Sequence, residues 1–302
     1  MPRVVIAFDG SPSARAAIER AADLFPAAQA LVVSVAGKAA ALRESSRAAR
    51  VALPDEVIQT ALQRLHDSAV DETRELADEG ARLGRAAGLK TTPRAVVAKT
   101  SVGSAIVEAA KEANGEVLVC GARGQGTITR AVLGSVSSKL VAHSDMPVLV
   151  VPGAPAAPAT GPAVIGFDGS EAAAGAVERC SQILPGRESL VLNVWRSPIR
   201  HNVTGKLLQR PLAELDQEFV VSAEAQADRG AALARERGLD ARGRATESRD
   251  SIAEVIMDVA DEEDAVVIVV GRRGLGTVAT AVLGSVSSAV THASRRPVLV
   301  VP

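Results

Sequence analysis

Residues 116–138 read EVLVCGARGQGTITRAVLGSVSS, and residues 266–288 read VVIVVGRRGLGTVATAVLGSVSS. In each copy a short apolar run ends in Gly-x2-Gly, and after nine more residues a Gly-Ser pair opens a helical pattern. The positions are Gly121, Gly124, Gly134 and Ser135, repeated as Gly271, Gly274, Gly284 and Ser285. Glycine has no Cβ, so the amides of such a loop can approach an anion closely, and the helix opened by Gly-Ser presents further amides and a favourable dipole. A phosphate cradle is the physical reading, with Arg123 and Arg273 able to reach outer phosphates and a hydroxyl from Ser135 or Ser285 as a further donor.

The duplication extends outward from this loop. VVIAFDGS at residues 4–11 recurs as AVIGFDGS at 163–170, carrying Asp9 onto Asp168, and LVVSVA recurs as LVLNVW, carrying Val35 onto Val194, both at an offset of 159. From the glycine loop to the closing PVLVVP the offset is 150, so the first half carries nine extra residues, expected in the polar stretch around Arg43 to Arg50. A Pro/Gly/Ala-rich segment begins at Gly153. We therefore expect domains at 1–152 and 161–302 joined by a linker at 153–160, a division that suits 302 residues.

Composition narrows the partners. With a formal net charge of −1 there is no broad basic field for nucleic acid or an anionic membrane. Aromatics are only 2 %, so the core must be built from small and β-branched side chains. Cys120 and Cys180 exclude a disulfide framework and read as buried thiols. The first residues lack a signal-peptide pattern and no apolar run is long enough to span a bilayer, so a cytoplasmic location is the expectation.

Within each half five near-continuous apolar runs (VVIAF, LVVSVA, RAVVA, EVLVCG and PVLVV in the first) alternate with helical patterns. That alternation implies an α/β fold: two tandem doubly wound domains, each a five-stranded parallel sheet flanked by helices. A first helix should open at Ser11 or Ser170. A longer one, from about Pro54 to Ala87, carries Val57, Ala61, Leu62, Leu65, Ala69 and Val70 as an expected core stripe; its counterpart runs from about Pro211 to Arg237.

In an open parallel sheet ligands bind outside the carboxyl ends of the strands, where strand order reverses. Asp9 and Asp168 end strand one, Val35 and Val194 end strand two, and the glycine loop follows strand four. An Asp there can accept from an adenine amine or ribose hydroxyl, and Val offers an apolar wall for the base. Taken singly, an Asp-Gly-Ser turn is only a capped turn and Val a strand residue; their convergence in both halves makes a nucleotide site. Arg130 faces Thr280 as its counterpart, so the two cradles need not bind equally. His143 and His292 read as structural, His66 and His201 as solvated, and Trp195 as core.

This order of parts, with its long glycine spacing, resembles the universal stress protein family over nearly the whole chain, twice. The resemblance implies a universal stress protein-like, adenine nucleotide alpha hydrolase-like fold. It also implies ATP, with or without Mg²⁺, held near Asp9, Val35 and Gly121 and near Asp168, Val194 and Gly271. Phosphates would lie at Gly124, Gly134, Ser135 and Val136, and at Gly274, Gly284, Ser285 and Val286. It further implies that the final strands pair, making an internal pseudo-dimer, and leaves a further homodimer open. No catalytic residue and no metal ligand is assigned. The expected activity is a nucleotide-responsive stress or regulatory role with little or slow hydrolysis, because GxxxxGK[ST] is missing. A slow ATP hydrolase and a scaffold without nucleotide remain the alternatives. A phosphoreceiver fails, since each half has a single Asp at that edge.

Overall fold

A computed structural model of the chain describes residues 1–37, 55–124, 133–153, 160–197, 209–274 and 283–302. The insertion around Arg43 to Arg50, the Arg130 and Thr280 pair, His201 and most of the expected linker lie outside the described residues.

The first half runs β1 (Val4–Ala7), α1 (Pro12–Leu24), β2 (Gln29–Ala36), α2 (Asp55–Ala86), β3 (Lys90–Val97), α3 (Val102–Glu112), β4 (Val117–Gly121), α4 (Ser135–His143) and β5 (Val148–Val151). The second runs β6 (Ala163–Gly166), α5 (Glu171–Ile183), β7 (Glu188–Trp195), α6 (Gln209–Glu236), β8 (Asp240–Glu247), α7 (Ile252–Glu262), β9 (Val267–Gly271), α8 (Ser285–Ala293) and β10 (Val298–Val301). All strand pairs within a half are parallel.

The order β3-β2-β1-β4-β5 reverses between β1 and β4, and the second half repeats it as β8-β7-β6-β9-β10. Successive strand residues point to opposite faces. Val4 and Ile6 join Ile18 and Ala81 beneath α1 and α2, while Val5 and Leu118 join Ile106 and Leu140 beneath α3 and α4. Helices therefore cover both faces, which is why the strands are apolar without alternation.

The two halves share one sheet. β10 pairs antiparallel with β5, with Leu149 opposite Leu299, and both residues belong to a single apolar cluster that includes Ile6 and Ile165. This pairing covers an edge of each half that would otherwise present unpaired amides and carbonyls.

Helix starts follow the sequence closely. Ser11 caps α1 by accepting from the Ala14 amide at 3.2 Å, and Ser170 caps α5 by accepting from Ala173 at 3.1 Å. The chain reaches each cap through a glycine in the left-handed region, Gly10 at φ 77° and Gly169 at φ 80°.

The stripe expected on α2 is a different matter. Leu65 is 48 % exposed, and Ala69 and Val70 are only half-buried; the side chains of Val57, Ala61 and Leu62 lie outside the described residues. The buried face begins at Thr73 and continues through Ala77, Gly80, Ala81 and Gly84. Length explains it. A helix of 32 residues is about 48 Å long at roughly 1.5 Å per residue, whereas the strands it covers, of 8 residues, extend only about 26 Å at roughly 3.3 Å per residue. Trp195 is likewise half-buried rather than core, because it stands at the open end of β7.

Close contact between α2 and the sheet depends on Gly80. A Cβ there would lie 2.8 Å from both Phe8 Cδ1 and Val32 Cγ1, and Gly230 meets Phe167 and Val191 in the same way at 2.7 Å. Gly80→Val should destabilise the protein by about 1–3 kcal/mol through overpacking, measured as a lower midpoint in guanidinium denaturation; an unchanged midpoint would show that α2 can lift without loss.

Candidate functional site

At the carboxyl ends of β1, β2 and β4 the first half encloses a cavity of about 550 Å³, and the second half one of about 460 Å³. Asp9, Val35, Gly121, Gly124, Gly134, Ser135 and Val136 all line the first. Asp168, Val194, Gly271, Gly274, Gly284, Ser285 and Val286 all line the second, and Arg123 and Arg273 line their respective cavities. Residues spread over more than a hundred positions thus converge at each switch point, because β1 and β4 are neighbours there.

The glycines differ in what they do. A Cβ on Gly121 would stand 2.5 Å from Ser13 Oγ and 2.7 Å from the Ser13 carbonyl carbon, and one on Gly271 would stand 2.9 Å from the Ala172 carbonyl oxygen. These two let the end of the strand lie against the first turn of α1 or α5. Gly124 and Gly274 make room for a carboxylate, since a Cβ would come within 2.6 Å of Asp9 Oδ2 and of Asp168 Oδ2. Gly134 and Gly284 have no such pressure, with nearest neighbours at 3.4 Å and φ of −62° and −60°. They are helix N-caps without a capping side chain, so the first-turn amides of α4 and α8 keep their donor capacity for a ligand.

The loop ends are tied together. The Gly134 amide donates to Ala122 O at 2.8 Å and the Gly284 amide to Arg272 O at 2.9 Å. Ser137 Oγ donates to Gly121 O at 2.7 Å and Ser287 Oγ to Gly271 O at 2.6 Å. The two serines sit in the repeated octamer AVLGSVSS, and that repetition is their signal in the sequence.

Asp9 is not a free carboxylate. Its Oδ1 accepts the Ser11 amide at 3.0 Å, as Asp168 Oδ1 accepts that of Ser170 at 3.0 Å. A carboxylate has about four acceptor sites, and one oxygen of each Asp shapes the turn while the residue lines the cavity. Other lining residues escaped the sequence reading: Val102, Ile106, Leu133 and Cys120 in the first cavity, with Ile252, Ile256, Leu283 and Val270 as their counterparts. They form an apolar floor, and in the sequence they look like any other core residue.

Cys120 is the one chemical difference on that floor. Burial pushes its thiol from 9.0 up to about 12, with a smaller opposing contribution from the hydrogen bond to Ser137. Burial raises Cys180 to about 12 as well. Ser13 and Ala172 differ too, and only Ser13 Oγ can donate to the Arg123 carbonyl. His143 is exposed, and His292 Nδ1 bonds the Ser288 carbonyl of its own helix at 2.7 Å. Among the described residues no group of three or more His, Cys, Asp or Glu is placed to hold a metal, and no helix is long and apolar enough to cross a membrane.

Two doubly wound layers, each with a switch-point cavity bounded by an Asp turn, a glycine loop and an uncapped helix N-terminus, define a tandem α/β fold. The profile of the Universal stress protein family matches residues 1–152 and 161–302. The chain belongs to that family. A universal stress protein of Mycobacterium tuberculosis is 30% identical over 242 residues, covering 76% of this chain and 77% of its own. A second from that organism is 27% identical over 98% of this chain and 95% of its own. Among solved structures, a universal stress protein from Archaeoglobus fulgidus superposes with a TM-score of 0.62 at 20% identity, covering 99% of this chain and 97% of that one.

Two outcomes follow from this geometry. Gly121→Ala should lower the thermal midpoint, because its Cβ meets main-chain atoms, whereas Gly134→Ala should leave it nearly unchanged; equal effects would contradict the division of labour. The thiols give a pH dependence. Their folded pKa values lie above the unfolded value, so the stabilisation is complete below about pH 9 and is lost as pH rises toward 12. Replacing Cys120 by Val and Cys180 by Ala should therefore reduce the loss of thermal stability between pH 9 and pH 11, read by calorimetry.

Proposed function

We propose that each half holds one adenine nucleotide, ATP, and that the chain acts as a nucleotide-responsive regulatory protein of the cytoplasm rather than as an enzyme with rapid turnover. The observation that carries this reading is the union, in one cavity of each half, of the Asp turn, the apolar wall and the open first turn of α4 or α8. Both volumes lie in the range of small-ligand sites, about 300–1,000 Å³. In this reading Val35 and Val194 flank the base, and Asp9 and Asp168 take a ribose or amine donor. The amides of Ser135, Val136, Ser285 and Val286 receive the phosphates, with Arg123 and Arg273 against the outermost ones. Mg²⁺ would enter on the phosphates.

Slow turnover fits the side chains at hand. Asp9 and Asp168 are the carboxylates lining the two cavities among the described residues, and each has one oxygen committed to a backbone amide of its own turn, whereas a general base must reach the proton it takes. We read the β5–β10 pairing as an intrachain counterpart of a dimer contact.

The test is mass spectrometry of small molecules released on denaturing the purified protein, followed by ATP titration by equilibrium dialysis. We expect saturable binding of one ATP per half, abolished by Gly134→Val together with Gly284→Val, positions where an added Cβ meets no atom closer than 3.4 Å. No retention of any adenine nucleotide at millimolar concentration would assign the chain a scaffold role instead.

A further inference from the structure

The second glycine loop is fastened to the first half by a side chain that the first loop lacks at the matching position. Arg272 lies between Gly271 and Arg273, both of which line the second cavity. Its carbonyl accepts the Gly284 amide at 2.9 Å and so holds the start of α8. Its guanidinium leaves that half altogether: Nη1 donates to Ser144 O at 2.9 Å and to Ala142 O at 3.4 Å. Those carbonyls close the C-terminal end of α4, whose N-terminal end lines the first cavity. The helix has 9 residues, so about 14 Å of hydrogen-bonded backbone at roughly 1.5 Å per residue joins the two ends. A cation at a helix C-terminus also complements the dipole whose positive end faces the first cavity.

The position equivalent to Arg272 is Ala122, which carries no group that could bridge. The first loop is anchored within its own half, by Ser13 Oγ donating to the Arg123 carbonyl. Ala172 replaces Ser13 in the second half. Among the described residues, the Ser13 anchor of the first loop lies within its own half and the Arg272 anchor of the second reaches the other half.

Arg272 is also held incompletely. Its Nε is buried without an acceptor among the described residues. Burial first, and then the neighbouring Arg273 charge, hold its pKa below the ordinary guanidinium value, with Asp145 opposing. A phosphate seated against Arg273 would offset that repulsion and so strengthen the hold that Arg272 already has on the terminal carbonyls of α4.

We infer that the two cavities are coupled through Arg272 and α4, so that ATP in the second cavity tightens ATP binding in the first. This rests on the reading that both cavities hold ATP. A ligand that holds the turn at 271–274 holds the guanidinium and with it the C-terminal end of α4, so a ligand in the first cavity has less residual motion of that helix to restrict. Linkage makes the effect equal in the reverse direction.

The experiment is equilibrium dialysis of radiolabelled ATP against six full-length proteins: wild type, Gly134→Val and Gly284→Val, each with and without Arg272→Ala. Alanine is the residue the fold already accepts at position 122; Arg272→Met, which keeps an unbranched aliphatic stem without charge or donor, replaces it should that variant not fold. The expected wild-type isotherm is steeper than the sum of the two single-cavity isotherms, the second ATP binding about five-fold or more tighter than its cavity does alone. With Arg272→Ala the isotherm should equal the sum. An additive or shallower wild-type isotherm, or coupling that survives Arg272→Ala, overturns the inference while leaving ATP binding intact. Absence of binding in all six proteins overturns the proposed function and the coupling with it.

Discussion

The close approach of the end of β4 to the first turn of α1 is the contact on which the cavity depends. With a side chain at Gly121 the strand would be pushed off Ser13, and Gly124 would no longer lie over the Asp9 carboxylate. The same contact, made with Ala172 in place of Ser13, organises the second half. Because the Asp turn and the glycine loop bear on one another, the helix that follows the loop starts at the cavity wall, and its uncapped amides face a defined space.

The halves are alike in backbone and unlike in how their loops are secured. Ser13, Cys120 and Ala122 in the first are Ala172, Val270 and Arg272 in the second, and each exchange alters a contact at or beside a cavity. A single sheet passing through β5 and β10 brings these differences within reach of one another. A guanidinium can span from one half to the other only because the antiparallel pairing sets α4 beside the end of β9.

Much of this fold is legible along the chain. Repetition of VVIAFDGS, of the glycine loop and of PVLVVP marks two copies, and uninterrupted apolar runs between helical stretches imply parallel strands covered on both faces. The cap at Ser11 and the start of α4 at Ser135 follow from local turn chemistry. The helical stripe at Leu65, Ala69 and Val70 misleads because periodicity reports which face of a helix is apolar and says nothing of how far the sheet beneath it extends. Thr73 and Gly80 mark where the sheet begins to cover α2. Val102, Ile106 and Cys120 were passed over because an apolar side chain lining a cavity and one filling a core look identical in a sequence.

The sequence by itself determined the duplication, the parallel α/β class and the Asp turn and glycine loop that meet at each switch point, since those rest on periodicity and on turns spanning a few residues. Only the tertiary structure decided which glycine packs, which accommodates a carboxylate and which leaves a helix end open, and that Arg272 reaches α4. Those properties are distances between segments tens to more than a hundred residues apart, and such distances exist only once both halves have folded onto one sheet.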